Sequence, residues 1–175
     1  LVIAAVPTRA DVRDVLIGAP LAALRQGATV GTGSARRQVQ LLAARPDLNV
    51  VGIRGNVDTR MRKALDGEVD AVVLAEAGLA RLGLEVERFP LDPELCVPAP
   101  GQGALGVQAS WTNPAVRDLL RQIDHAPTRL CVTAERAFLA RLGGGCSVPA
   151  GALATLHRGE LTLRAMLADA EGRPQ

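Results

Sequence analysis

The chain has 175 residues, of which 48% are apolar, 22% charged and 2% aromatic, with 20 basic side chains against 18 acidic ones. That supports a packed core and gives a net charge of only +2, without the spread of basic and aromatic residues by which nucleic-acid binders grip their ligand. No run approaches the roughly 18 apolar residues of a membrane span, and three cysteines and two histidines at uninformative spacings suggest neither a disulfide framework nor a metal centre.

A globular protein of the reducing cytoplasm is therefore expected, with no nucleic acid, membrane or metal as partner. The opening Leu1-Val-Ile-Ala-Ala-Val is broken by Pro7, Arg9 and Asp11 and does not read as a targeting segment. The chain begins without Met inside a strand-like run and ends just past a turn signal, as a fragment would.

Residues 2 to 6 read as a strand, and Arg9, Asp11, Arg13 and Asp14 as mixed-charge surface. Val15 to Ile17 form a short apolar strand ended by Gly18, and Leu21 to Arg25 a short helix stopped by Gly27. A strand ending at Thr29 and Val30 then runs through the turn Gly31-Thr-Gly-Ser34 into a helix over 35–45. Its cap is Ser34 and its apolar face Val39, Leu42 and Ala43. The arrangement repeats: Val50, Val51 and Ile53 as a strand, Arg54-Gly-Asn56 as a turn with Asn56 as cap, and a helix over 57–66 stopped by Gly67. A third unit pairs a strand over 71–74 with a helix over 76–82. Such alternation implies a parallel sheet with helices on its faces.

Val86 to Leu91 reads as another strand. The Pro- and Gly-rich Cys96-Val-Pro-Ala-Pro-Gly-Gln-Gly-Ala-Leu-Gly marks a crossing between domains. A strand over 106–109 and a helix over 114–123 follow. A longer helix then reaches Leu142, with Thr128 as cap and Leu130, Ala134, Phe138 and Leu142 among its buried positions. Residues 150–156 and 160–168 read as a hairpin around His157-Arg-Gly159.

Positive charge is concentrated in residues 31–63, which hold Arg36, Arg37, Arg45, Arg54, Arg60, Arg62 and Lys63 against Asp47 and Asp58. Arg36 and Arg37 fall in a first helical turn, where the macrodipole disfavours cations, so an anion should compensate them. Ligands of open parallel sheets bind outside the carboxyl ends of strands, and helix N-termini suit anions. Both turns should thus open on one crevice for a compact polycarboxylate or phosphate.

Cys96 and Cys131 lie in apolar or helical runs and read as small buried residues. Cys146 stands instead between three glycines and Ser-Val-Pro, in an open loop where a thiol could carry a covalent group.

Val30-Gly-Thr-Gly-Ser-Ala-Arg-Arg-Gln, Arg54-Gly-Asn-Val-Asp-Thr-Arg, Leu74-Ala-Glu-Ala-Gly-Leu-Ala-Arg-Leu-Gly83, Pro98-Ala-Pro-Gly-Gln-Gly-Ala-Leu and Thr133-Ala-Glu-Arg-Ala-Phe-Leu-Ala-Arg-Leu-Gly-Gly-Gly-Cys146 together closely resemble the porphobilinogen deaminase (hydroxymethylbilane synthase) family. The match is collinear along the whole chain. The resemblance implies a transferase of tetrapyrrole (haem, porphyrin) biosynthesis that joins four porphobilinogen molecules into hydroxymethylbilane with release of ammonia. It implies a dipyrromethane cofactor on Cys146, and a cofactor and substrate site of Thr32, Ser34, Arg36, Arg37, Arg54, Asn56, Arg60, Arg81 and Gln102. Porphobilinogen and its linear oligomers are the implied partners, and the protein is expected to be a monomer.

The implied fold is an α/β, doubly wound domain like those of periplasmic binding proteins, plus part of a small α+β C-terminal domain. Residues 1–98 would be the second α/β domain with a hinge strand at 1–6. Residues 99–124 would return to a mostly missing N-terminal domain, and 125–175 would form the partial C-terminal domain with the cysteine loop. The family's catalytic aspartate, in a Lys-Asp-Val-Pro motif, would lie upstream of Leu1, so no catalytic residue is assigned here and the fragment alone is expected to be inactive. Gly33, Ala35 and Glu76 depart from the family pattern, and Glu76 is expected to face away from the anion site. The competing reading is a non-catalytic anion-binding module of the same domain type, which leaves the Gly-Gly-Gly-Cys loop unexplained.

Overall fold

The computed structural model of the chain describes residues 1–143, 149–169 and 174. In chain order the strands and helices are β1 (Val2–Ala5), β2 (Asp14–Ile17), β3 (Thr29–Gly31), α1 (Ala35–Ala44), β4 (Asn49–Val51), α2 (Val57–Leu65), β5 (Ala71–Ala75), α3 (Glu76–Arg81), β6 (Phe89–Pro90), β7 (Val107–Ala109), α4 (Pro114–Leu120), α5 (Ala126–Arg141), β8 (Ala150–His157) and β9 (Glu160–Leu167).

Five strands form one sheet in the order β4-β3-β5-β2-β6. The expected parallel pairing holds for β3 with β4 and β5, whereas β2 runs antiparallel to both β5 and β6. An antiparallel β2 reaches β3 without a crossover helix, and only the 3-10 turn Leu21–Ala23 intervenes. β6 is shorter than the expected strand; Pro90 has no N–H for a ladder and suits the sheet's edge.

The sheet is covered on both sides. Leu16, Val30, Ala71 and Val73 pack with Leu41 of α1 on one face. Val15, Ile17, Val72 and Leu74 pack with Ala64 of α2 and Leu79 of α3 on the other. The chain thus steps from β3 to β4 over one face and from β4 to β5 over the opposite one. Open sheets bind their ligands at such a reversal, outside the carboxyl ends of the strands.

Outside this sheet, β1 pairs antiparallel with β7 through an irregularity between Ile3 and Ala5. The helix expected over 114–123 ends at Leu120 and continues as the 3-10 turn Arg121–Ile123. β8 and β9 make the expected hairpin, closed by Arg158 and Gly159 at φ 50° and 84°. Positive φ at both central residues is what a two-residue hairpin turn requires.

Two expected helix faces are corrected. In α1 the buried residues are Arg36, Gln40 and Leu41, while Val39 and Leu42 are half-buried and Ala43 is exposed. In α5 they are Thr128, Cys131 and Glu135, while Leu130 is 52% exposed and Ala134, Phe138 and Leu142 are half-buried. Polar side chains occupy the inner stripe in both because each meets a polar partner there. The α5 cap is His125, whose ring nitrogen accepts from the Thr128 N–H; Thr128 lies inside the helix with its hydroxyl against His125 Nδ1.

Candidate functional site

The reversed direction of β2 brings its first residue, Asp14, opposite Ala75 at the carboxyl-terminal edge of β5. The same edge of the sheet holds the Gly31–Ser34 turn and the start of α1. Asp14 is not the surface residue its neighbours suggest: it is 0% exposed. Its Oδ2 accepts from Arg36 Nη2 at 2.8 Å and from the Cys96 thiol at 3.4 Å. Its Oδ1 accepts from Arg37 Nη2 at 2.6 Å and from Gln102 Nε2 at 2.9 Å. Burial pushes the Asp14 carboxyl up, but Arg37 and Arg36 outweigh it and hold the group below its ordinary value. One of the negative charges that the paired arginines call for is thus supplied by the chain itself. The one clue in the sequence is that Asp14 abuts the wholly apolar Val15-Leu-Ile17.

Arg36 is turned fully inward. Its Nη1 donates to Val97 O at 2.6 Å, and Gln40 beside it brackets the same residue, accepting from Val97 N at 2.7 Å and donating to Val97 O at 3.2 Å. The crossing segment is thereby stitched to α1. Gln102 adds a further tie, donating to Val12 O at 2.7 Å. Arg37 is less consumed: Nη1 reaches Val73 O at 3.2 Å, but its buried Nε has no hydrogen-bond partner among the described residues. Two guanidinium groups face one carboxylate, which leaves an uncompensated positive charge at the edge.

The first turn is ordered by its own side chains. Buried Thr32 accepts from Ser34 N at 3.2 Å through Oγ1, and Ser34 caps α1 by accepting from Arg37 N at 3.4 Å. In the second turn Asn56 caps α2, accepting from Thr59 N at 2.9 Å, and Arg60 Nε donates to Gly55 O at 2.7 Å. Arg54 is exposed and makes no ion pair among the described residues. The helices α1 and α2 cover opposite faces of the sheet, yet both begin at the same edge, and Thr32 N donates to Val51 O at 2.9 Å across the two turns.

The other expected site residues are distributed more widely. Arg81, at the end of α3, donates to Gly103 O at 2.7 Å. Glu76 pairs with Arg88 at 3.3 Å, so its charge is met within the chain. Cys146 lies outside the described residues. Among the described residues no group of three or more His, Cys, Asp or Glu could hold a metal ion, and no helix is long and apolar enough to cross a membrane.

A second buried carboxylate escaped the sequence reading. Glu135 of α5, 0% exposed, accepts from both Nη atoms of Arg9 at 2.6 and 2.9 Å, from Gly101 N at 2.6 Å and from Ala154 N at 2.8 Å. Arg9, read as surface, is instead the buried counter-charge, and the pair joins the segment after β1, the crossing segment and β8. Gly151 completes this junction: a Cβ there would lie 2.7 Å from Val97 O. Cys96 and Cys131 are both buried, as their surroundings in the sequence suggest.

Comparison with known proteins bears on the same elements. Residues 1–118 match the family model described as "Porphobilinogen deaminase, dipyromethane cofactor binding domain", and residues 129–175 the one described as "Porphobilinogen deaminase, C-terminal domain". The chain is 53% identical to the porphobilinogen deaminase of Roseiflexus sp. (strain RS-1), over 99% of this chain and 58% of that protein. It is 52% identical to that of Roseiflexus castenholzii and 49% identical to that of Brevibacillus brevis, again over 99% of this chain and 58% of each relative. The chain thus spans a little over half the length of the relatives it matches.

Proposed function

Because the chain belongs to the porphobilinogen deaminase family, we propose that it serves a transferase that joins four porphobilinogen molecules into hydroxymethylbilane with release of ammonia. The observation that carries this reading is the placement of Arg36, Arg37, Arg54 and Arg60 at one edge of the sheet, where neighbouring parallel strands end. Porphobilinogen bears acetate and propionate side chains, so a growing oligomer is a polycarboxylate. Guanidinium–carboxylate pairs are strong and geometrically selective.

The residues fit a dipyrromethane, whose acidic side chains suit an edge where two guanidinium groups share one carboxylate and Arg54 is exposed and unpaired. Bound through Cys146, this group would supply the pyrrole on which the chain is extended. Thr32, Ser34, Arg37, Arg54, Asn56, Arg60, Arg81 and Gln102 form the proposed cofactor and substrate site. Arg36 contributes its charge while bound to Asp14 and Val97. Exposed Arg54 suits an incoming carboxylate, and half-buried Arg60, its Nε held by Gly55 O, offers its terminal nitrogens to another, whereas Arg81 and Gln102 brace the 101–103 loop and the Asp14 cluster.

We read residues 1–98 as a doubly wound domain of periplasmic-binding-protein type, 99–124 as a return segment and 125–175 as part of an α+β domain. The protein is proposed to act as a cytoplasmic monomer. Intact mass of the protein purified from cells tests the central claim: a covalent dipyrromethane adduct is expected, absent in Cys146→Ala. An unmodified wild-type mass together with no binding of porphobilinogen would overturn the proposal.

A further inference from the structure

We propose that Asp14 is a positioning residue for ligand binding: its carboxylate fixes the Arg37 guanidinium so that Arg37 can take a second, ligand-borne carboxylate. This inference rests on the polycarboxylate reading of the sheet edge.

Three observations carry it. The first is stoichiometry. Asp14 meets two guanidinium groups, and their shares differ: Arg36 is 5% exposed and its terminal nitrogens bind Val97 O, Asp14 and Gln102, whereas Arg37 is 11% exposed and its terminal nitrogens carry one bond each, so that each keeps a second N–H. A guanidinium has five N–H donors, and Arg37 spends only two nitrogens, on Asp14 and on Val73 O. The excess positive charge and the spare donors therefore both reside on Arg37.

The second is that Asp14 is an immobile anchor. Gln102 Nε2 holds its Oδ1 and Val12 O together, while Arg36 and Cys96 hold its Oδ2. Arg37 thus docks on a carboxylate that cannot swing with it. The third is location. Asp14 opens β2 opposite Ala75, so the anchor sits at the edge where α1 begins, the edge at which open sheets with such a reversal of strand order bind their ligands. An arginine in a first helical turn, unfavourable beside the dipole, is drawn across that edge in one orientation. Its ordering cost is met before a ligand arrives.

A purely structural clasp and a positioning role differ in how Asp14 and Arg37 couple. Porphobilinogen binding is measured by titration calorimetry for the protein, Asp14→Asn, Arg37→Gln and the double variant, with thermal unfolding recorded for each. With Arg37 present, Asp14→Asn is expected to weaken binding roughly tenfold or more, the size of a charge-assisted hydrogen bond. With Arg37 already replaced, it should change affinity by less than about twofold, since coupled residues are not additive. Equal losses on both backgrounds, unchanged affinity, or the tighter binding that removal of a negative charge alone would give, would each overturn the proposal. If Asp14→Asn does not fold, Asp14→Glu carries the same cycle, because it keeps the charge and displaces the anchor by one methylene. Wild-type protein that fails to bind porphobilinogen would instead remove the functional reading, and this inference with it.

Discussion

Arg9 and Glu135, 126 positions apart in the chain, meet through two parallel hydrogen bonds of 2.6 and 2.9 Å with side chains only 10% and 0% exposed. Removing one partner of such a pair strands a buried charge and costs about 3–5 kcal/mol. Arg9→Met is expected to lower the unfolding free energy by that order in urea titrations. Replacing both, as Arg9→Met with Glu135→Leu, removes the stranded charge but leaves Gly101 N and Ala154 N without their acceptor. Each orphaned N–H costs about 1–3 kcal/mol. The double variant should therefore recover only part of the loss; full recovery would mean that the two backbone bonds contribute nothing.

Acid should unfold the protein below the ordinary carboxylate range. Arg45 hydrogen bonds hold Asp47 at about 2, and Asp11 (by Arg13), Asp124 (by Arg129) and Asp70 (by the Thr29 N–H, then Arg25) also lie below the ordinary 3.8. Asp14 shares this direction, its arginines outweighing burial. Each group is a stronger acid folded than unfolded, so between the two values the unfolded chain binds more protons. The Asp47 contribution is complete above about 3.8 and is lost as pH falls toward 2, and those of the other four are lost in the same direction as pH falls below the ordinary value. Thermal melts from pH 5 to 2 should show a steep fall within that window, and Asp47→Asn should flatten its lower end. A flat profile would contradict the pairing geometry.

At the alkaline end the sign reverses. Burial, with Asp14 adding to it, pushes the Cys96 thiol up to about 12 from an ordinary 9.0. The unfolded chain loses this proton first, so the associated stability is present below about 9 and declines as pH rises toward 12. The same burial keeps the native thiol neutral and inert, because the thiolate is the nucleophile. Iodoacetamide at pH 8, followed by peptide mapping, should leave Cys96 unmodified in the native protein and alkylate it in urea. Rapid native modification would show that the Asp14 cluster is open to solvent.

The elements were legible wherever local chemistry decides them. Ser34 and Asn56 cap α1 and α2 as their residue types demand, and the Arg158-Gly159 turn closes the expected hairpin. Illegible were the features that depend on a distant partner. Asp14, Arg9 and Glu135 look like surface because charge normally is surface; each is buried only because an opposite charge from another part of the chain meets it. The same blindness misassigned the inner stripes of α1 and α5, where Gln40 and Glu135 displace apolar residues by bonding backbone groups of the crossing segment and β8. The antiparallel β2 was likewise invisible, since one aspartate followed by three apolar residues carries no directional signal.

Arg54 separates ligand binding from stability. It is exposed at the end of β4's turn and makes no ion pair among the described residues, so its guanidinium contributes nothing that folding needs. Arg54→Leu should leave the melting temperature unchanged while weakening porphobilinogen binding roughly ten- to hundredfold, the range for losing a hydrogen bond to a charged group. Arg45→Leu gives the contrasting control. Arg45 bonds Asp47 and the carbonyls of Leu21 and Leu24 away from the edge, so its loss should lower the melting temperature and spare affinity. Arg54→Lys should restore only part of the binding, because an ammonium keeps the charge but not the two-pronged geometry that a carboxylate accepts. Equal affinity in wild type and Arg54→Leu would place the ligand's carboxylates elsewhere on the sheet.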